Sequence, residues 1–139
     1  MIPQREWFVF ALLALIMWGL WGFFPKLSTN YISPKSALVY EVLGSMIVGI
    51  IIFFLVGFKP EVHTKGIIFA LLTGIAATLG TLFFLYAVSR GKASITVTIT
   101  ALYPLITIAL AFFILHESIS VKQGGGILLA LVAIVLMIL

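Results

Sequence analysis

Residues 93–115 read ASITVTITALYPLITIALAFFIL. The run has no charged residue and matches the roughly 20 residues that a helix needs to cross the hydrocarbon core of a membrane. Pro104 stands at its centre, where a proline removes a backbone hydrogen bond and normally kinks or breaks a helix. We interpret the run as one membrane helix, kinked at Pro104, in which the carbonyl of Thr100 loses its donor.

Four further apolar runs occupy most of the remaining chain, and for these we predict helices over residues 7–24, 36–58, 66–88 and 124–139. The composition agrees, because 63% of the residues are hydrophobic and only 9% are charged, whereas a soluble domain has about 25% charged residues. We therefore expect an all-α integral membrane protein with five transmembrane helices. They would form one domain, residues 1–139, of a multi-pass protein of the cell (plasma) membrane.

A polar stripe follows the central helix. Its members are spaced four, three and four residues apart, which places them on one face: Thr96, Thr100, Tyr103 and Thr107. A carbonyl freed by Pro104 must find another donor or water inside a bilayer, so the pattern favours a helix that lines a wet cavity. The alternative is that the threonines bond to their own backbone and that Pro104 is one of the many prolines of membrane helices.

Glu41 is the only acid clearly inside an apolar run. A carboxylate in the hydrocarbon region is costly and usually faces a partner or a cavity. One interpretation is a proton or cation site; the other is a glutamate that reaches back to the headgroups or pairs with Lys35.

The first helix carries the sequence MWGLWGFFPK at residues 17–26. Trp18 and Trp21 are candidates for the floor of a binding cavity, although tryptophans also pack between helices or form the interfacial aromatic belt. We expect Lys26 to snorkel to the interface. In the third helix, small residues such as Gly74 and Ala77 predict close helix packing.

Several classes of function find no support in the sequence. The chain has no cysteine, and its two histidines, His63 and His116, are isolated, so we expect neither a metal site nor a cofactor. There is no nucleophile–base pair, phosphate loop or paired carboxylate, and we expect no enzyme. The basic residues are scattered, whereas a nucleic-acid binder would cluster them.

Basic residues near helix ends set the orientation of a membrane protein. With five crossings, the eight lysines and arginines divide equally between the two sides. One side holds Arg5, Lys59, Lys65 and Lys122, and the other holds Lys26, Lys35, Arg90 and Lys92. The balance is either accidental and settled by partners, or it indicates dual topology, in which copies insert both ways and pair antiparallel. Five crossings place the two termini on opposite sides of the membrane, so a tandem duplicate of the chain would insert upside down. Inverted repeats arise in this way.

The run RGKASITVTITALYPLITIALAFFILHESISVKQGGGILLALVAIVLMIL, residues 90–139, resembles the last two helices of an EamA-type repeat of the drug/metabolite transporter superfamily. The Trp18–Gly19 pair followed by Lys26, and the five-helix count, are similar to that family too. The resemblance implies a secondary transporter or exporter of small metabolites. Its fold would be one half of a ten-helix inverted-repeat transporter, with the cavity between the two halves.

Position by position, Tyr103 and Pro104 match the tyrosine–proline of the family's fourth helix, and Trp18 and Gly19 match the pair that lines the cavity. Glu117 matches the acid that closes the fourth helix, as a cap or loop contact. Two features depart from the family. Members usually carry two repeats and this chain has one, and His116 stands where glycine is frequent.

The function that we predict is a secondary transporter of small metabolites or organic cations, working in the bilayer as an antiparallel homodimer by alternating access. The alternatives are half of a heteromeric transporter, a flippase for lipid-linked substrates, and a membrane assembly subunit that transports nothing. The predicted substrate-binding residues are Trp18, Gly19, Trp21, Glu41, Thr96, Thr100, Tyr103, Pro104 and Thr107.

Overall fold

The computed structural model describes residues 6–138, and within them every regular element is a helix. The helices are α1 (Glu6–Thr29), α2 (Pro34–Leu55), α3 (Thr64–Arg90), α4 (Ala93–Thr100), α5 (Tyr103–Ile114) and α6 (Val121–Ile138). Four stretches of the described chain are long and apolar enough to span a membrane: α1, α2, α3 and Ala93–Ile114. The apolar stretch of α6, Val121–Leu136, is shorter. The prediction of an all-α membrane protein with helices in five places is confirmed.

The central run is one membrane span, as predicted, but it is not one continuous helix. Helix α4 ends at Thr100, and α5 begins at Tyr103 after a two-residue turn. In that turn the N–H of Leu102 bonds to the carbonyl of Ile99 at 3.2 Å. The physical reason is that Pro104 has no N–H and its ring clashes with the carbonyl four residues back, whereas the first turn of a helix tolerates proline. Pro104 therefore lies in the first turn of α5, and the span is interrupted just before it, at two residues that keep right-handed helical angles.

Pro25 lies inside a helix, so the prediction that the first helix ends at residue 24 is wrong. Helix α1 continues through Pro25 to Thr29. The carbonyl of Pro25 accepts the hydroxyls of Thr29 at 2.8 Å and Ser28 at 3.2 Å, which secures the turn that follows. Because Pro25 has no N–H, it cannot donate to the carbonyl of Trp21.

The ends of α2 follow local signals that shift the predicted range of 36–58 towards the N-terminus. Ser33 caps the helix by accepting the N–H of Ser36, and Pro34 is its first residue. At the other end Gly57 takes a left-handed φ of 62°. The N–H of Phe58 bonds back to Phe53 at 3.1 Å, and their rings meet edge to face at 5.2 Å. This is a Schellman motif with its usual apolar contact.

Side chains also define the starts of α3 and α6. His63 Nδ1 accepts the N–H of Gly66 at 3.3 Å, so α3 begins at residue 64 and not at 66. Ser120 and Gln123 form a capping box: Gln123 Oε1 accepts the N–H of Ser120 at 2.9 Å, and Ser120 Oγ accepts the N–H of Gln123 at 3.3 Å. The last helix therefore begins at residue 121, three residues before its predicted start.

The chain forms two compact units, the first ending at Arg90 and the second starting at Gly91. In the first unit, α1, α2 and α3 all contact one another. Its buried residues lie in the last turns of α1 and α3 and the first turns of α2, which we call the packed end. They are Gly22, Pro25, Ala37, Thr81, Phe84, Leu85 and Val88. The described residues of the opposite end of these helices include none that is buried.

The small residues of α3 behave differently from the prediction. Gly74 and Ala77 lie in the exposed half of α3, and no atom comes within 4 Å of a Cβ placed on Gly74. Within the described chain this stripe therefore does not pack against another helix.

In the second unit, α4 contacts α6. Thr96 and Thr98 are its buried residues among those whose side chains the structure describes.

Candidate functional site

A hydrogen bond between two predicted site residues joins α1 to α2. Trp21 Nε1 donates to Glu41 Oε1 at 2.7 Å, a length typical of a bond to a charged acceptor. The fold brings them together because the link after Thr29 is short, so the last turns of α1 lie beside the first turns of α2. Glu41 is half-buried. The two side chains lie just inside the packed end.

Phe84 of α3 completes this site. Its ring stacks on the indole of Trp21, with centroids 5.1 Å apart and planes 25° apart. Phe84 is only 4% exposed, whereas Trp21 is 40% exposed. One face of the indole is therefore supported from within the unit while part of the ring stays open. We call Trp21, Glu41 and Phe84 the three-helix cluster.

The charge of Glu41 is met by a neutral donor. In the part of the chain that the structure describes, its carboxylate accepts the indole N–H and forms no ion pair with Lys35. Ser45 Oγ donates to the backbone carbonyl of Glu41 at 3.0 Å and not to the carboxylate. The pairing with Lys35 is therefore not seen among the described residues, and the proton or cation site stays a prediction.

Lys26 lies in the last turn of α1, and its snorkelling to the interface stays a prediction. Its Nζ donates to the carbonyl of Val88 at 3.0 Å and is half-buried, so the amine bonds to the backbone of another helix. Val88 lies in the last turn of α3, where carbonyls lack helical partners and cations interact favourably with the helix dipole. Lys26 therefore ties the end of α1 to the end of α3.

Trp18 and Gly19 do not join the three-helix cluster. Trp18 is 62% exposed, and a Cβ added at Gly19 would meet no atom within 4 Å. Both residues therefore lie on an open surface of α1 within this chain.

The polar stripe is divided between α4 and α5. Thr96 is buried and its hydroxyl donates to the carbonyl of Lys92 at 3.1 Å. Thr100 donates to the carbonyl of Thr96 at 3.0 Å. These bonds to the helix's own backbone agree with the alternative interpretation of the threonines.

The α5 members of the stripe, Tyr103, Pro104 and Thr107, are exposed. These residues are therefore not enclosed in a dry, tightly packed setting among the described residues. Such a setting would have indicated that Pro104 has only a local structural role. Whether the stripe lines a cavity stays a prediction.

The remaining polar candidates have structural roles. Within residues 6–138, no group of three or more histidine, cysteine, aspartate or glutamate side chains is arranged to hold a metal ion. His116 takes a left-handed φ of 55°, the conformation that glycine adopts most readily, so the turn keeps its shape without glycine. The backbone N–H of Glu117 bonds to the carbonyl of Ala111 at 3.2 Å, which makes its loop contact a main-chain one.

The sequence analysis missed Phe84. It lies in the run LFFLY at residues 82–86, where neither spacing nor polarity distinguishes it from Phe83. Only the approach of α1 to α3 shows that Phe84 is buried against Trp21 while Phe83 is 69% exposed.

These features define a multi-pass membrane protein with a carboxylate–aromatic site among its first three helices and a proline-broken span in its second unit. Comparison with known proteins identifies its family. Residues 5–139 match the EamA-like transporter family, so the chain belongs to that family. The match is a single copy of the repeat, as expected.

A similar protein occurs in the archaeon Methanocaldococcus jannaschii. It is an uncharacterized protein, 31% identical over 131 residues, and the alignment covers 93% of each chain. No solved structure matches the chain.

Proposed function

We propose that the protein is a secondary transporter of the plasma membrane that moves small metabolites or organic cations and works as an antiparallel homodimer. The observation that carries the proposal is the hydrogen bond from Trp21 to Glu41 at 2.7 Å. A carboxylate held by an aromatic donor among membrane helices supports a substrate or coupling site, because ionisable residues there are costly and usually mark one. Membership of a transporter family supports the same conclusion.

The homodimer follows from what one copy leaves uncovered. Secondary transporters place their substrate site between two repeats of opposite orientation, and this chain holds one repeat. The small residues Gly74 and Ala77 and the polar side chains of Tyr103 and Thr107 are exposed in the single chain. Small residues allow a second helix to approach closely, and polar ones favour a cavity over lipid.

The equal division of basic residues supports the antiparallel arrangement, because such a chain has no strong preference for either orientation. In the dimer, a shared cavity would have the three-helix cluster of one copy on one side and the exposed stripe residues of its partner on the other: Thr100, Tyr103, Pro104 and Thr107. Trp18 and Gly19 would line its wall. Rocking of one copy against the other would open the cavity to each side in turn.

The experiment that tests this uses orientation-biased variants. Lys35→Gln with Lys92→Gln removes two basic residues from one side, and Lys59→Gln with Lys65→Gln removes two from the other. All four side chains are exposed. A C-terminal reporter should show each double variant in one orientation and the unmodified chain in both.

A solute chosen by thermal stabilisation of the purified protein then serves for flux in membrane vesicles prepared from the expressing cells without detergent. Each biased variant alone should give no flux, and the two expressed together should restore it. The matched control, Lys35→Gln with Lys59→Gln, removes one residue from each side and should transport alone. Flux by either biased variant alone would refute the antiparallel homodimer.

The rival functions give other outcomes in the same assays. Half of a heteromeric transporter would neither form a stable dimer nor transport when purified alone. An assembly subunit would show changes in complex formation, but none in flux, after substitution of Tyr103 or Trp18. A flippase would move a lipid-linked substrate and no soluble one.

A further inference from the structure

The three-helix cluster has two unused recognition surfaces. Oε1 of Glu41 accepts the indole N–H, which leaves Oε2 as a second acceptor on the same carboxylate. Phe84 covers one side of the indole, and Trp21 is still 40% exposed. A carboxylate with a spare acceptor and a partly exposed indole thus belong to one site.

We propose that this cluster binds a monovalent organic ammonium ion, with Glu41 supplying the countercharge and Trp21 an aromatic face. The proposal rests on the proposed function, for which it names the substrate class, and it adds Phe84 to the site. A cation within about 6 Å of an indole centroid is attracted by the ring's negative face, and the attraction grows as water is excluded.

The charge balance selects one positive charge. Glu41 is one carboxylate, and in the described part of the chain no cationic side chain neutralises it. An anionic solute would meet repulsion there, and a neutral solute would leave the charge unpaired inside the membrane.

The site also favours an organic cation over a metal ion. Calcium takes six to eight oxygen ligands and magnesium demands a near-octahedral set, whereas residues 6–138 offer no cluster of three potential metal-ligating side chains. An alkylammonium needs no such shell, because its apolar substituents rest on an aromatic ring while its charge faces the carboxylate.

Phe84 acts through Trp21 and is a positioning residue. It is almost fully buried and its ring lies nearly parallel to the indole, so it restricts how the indole can tilt. Trp21 must keep its edge on Glu41 to hold the carboxylate and must present its open surface to the ligand. Substitution of Phe84 should therefore weaken ammonium binding without removing any group that contacts the ion.

The test compares choline with 3,3-dimethylbutan-1-ol, which has the same shape and no charge. Binding to the full-length protein in detergent is measured by calorimetry. We expect choline to bind saturably and the alcohol to bind at least about tenfold more weakly, because only choline interacts with the carboxylate. Equal affinity for the two would overturn the proposal.

The variants separate the contributions of charge, ring and support. Glu41→Gln keeps an acceptor for the indole but loses the charge, and it should weaken choline binding by about tenfold or more. Trp21→Leu should weaken it by about three- to thirtyfold, the range of cation–aromatic energies. Their matched controls are Glu61→Gln, in an exposed link, and Trp7→Leu, which is 64% exposed at the start of α1. Both controls should bind choline normally.

For Phe84, the informative comparison is Phe84→Leu with Phe84→Tyr. Leucine should weaken choline binding, and tyrosine, which restores a stacked ring, should recover most of it. A merely structural role would instead lower thermal stability and leave the choline affinity of the folded fraction unchanged.

Failure of this inference is distinguishable from failure of transport, because calorimetry needs no flux. Choline binding that depends on Glu41 in a protein without flux would support the ammonium site and refute the transporter. Flux of a neutral or anionic solute, with choline binding absent or unaffected by Glu41→Gln, would support the transporter and refute the ammonium site.

Discussion

Lys26→Met tests the tie between α1 and α3 most directly. Methionine keeps the apolar stem that packs along the helix but removes the amine that donates to the carbonyl of Val88 at 3.0 Å. A hydrogen bond from a charged group contributes about 1.5–3 kcal/mol. A cation in the last turn of a helix adds about 0.3–1 kcal/mol. We expect a loss of about 2 kcal/mol in the free energy of unfolding, or about thirtyfold in the unfolding equilibrium.

The assay is reversible unfolding in mixed micelles of dodecyl sulfate and dodecyl maltoside, followed by tryptophan fluorescence and far-ultraviolet circular dichroism. Lys35→Met is the matched control, because Lys35 is exposed in the first turn of α2. It should change the unfolding free energy by less than about 0.5 kcal/mol. If Lys26→Met were no more destabilising than Lys35→Met, the tie would contribute nothing. The amine would then reach the interface, as the sequence alone predicts.

Four further predictions concern helix ends and the broken span. Ser120→Ala should remove the cap of α6 and cost about 1 kcal/mol in thermal unfolding, while Ser118→Ala, outside the capping box, should not. Gly57→Ala should cost about 1–2 kcal/mol because its φ is 62°, and His116→Gly should stabilise by a similar amount because the φ of His116 is 55°; unchanged melting temperatures would contradict both. Pro104→Ala should fuse α4 with α5, seen as slow amide exchange at residue 104, whose new N–H would donate to the carbonyl of Thr100; fast exchange there would show that proline does not cause the break.

The sequence predicted the helical class and the positions of the helices because apolar run length alone sets both. It failed where one residue decides between two local outcomes. The first helix was predicted to end at residue 24 and the central span to be kinked at Pro104, yet α1 continues through Pro25 and Pro104 lies in the first turn of α5. The hydropathy of the two apolar runs does not distinguish a proline inside a helix from one at its start. The hydroxyls of Ser28 and Thr29 support the turn after Pro25.

Helix ends were more predictable than our boundaries suggest. The capping box of Ser120 and Gln123 and the glycine at position 57 are both visible in the sequence, as S-x-x-Q and as a glycine after an apolar run. Because hydropathy alone was used to set the boundaries, the last helix was predicted to begin three residues late and the second helix to extend to residue 58. The cap by His63 is harder to predict, because histidine is not a preferred capping residue.

The candidate site was predicted in part. Glu41 and Trp21 were selected for separate reasons, a carboxylate in an apolar run and a tryptophan near the middle of one. Nothing in the sequence indicated that they hydrogen-bond to each other. That pairing, and the contribution of Phe84, depend on how three helices meet, which the short link after Thr29 permits but does not specify.

The uneven packing of the first unit bears on how the protein works. Its buried residues and its tie at Lys26 all lie at the packed end, and the three-helix cluster lies at the inner limit of that region. A charged group inside the hydrocarbon region is costly against lipid. On one side, Trp21 shields Glu41 from lipid. The exposed helix faces beyond Glu41 have no cover within the described chain. A second copy that covered those faces would complete the enclosure of Glu41. It would also leave the loosely packed ends free to move, which is the combination that alternating access requires.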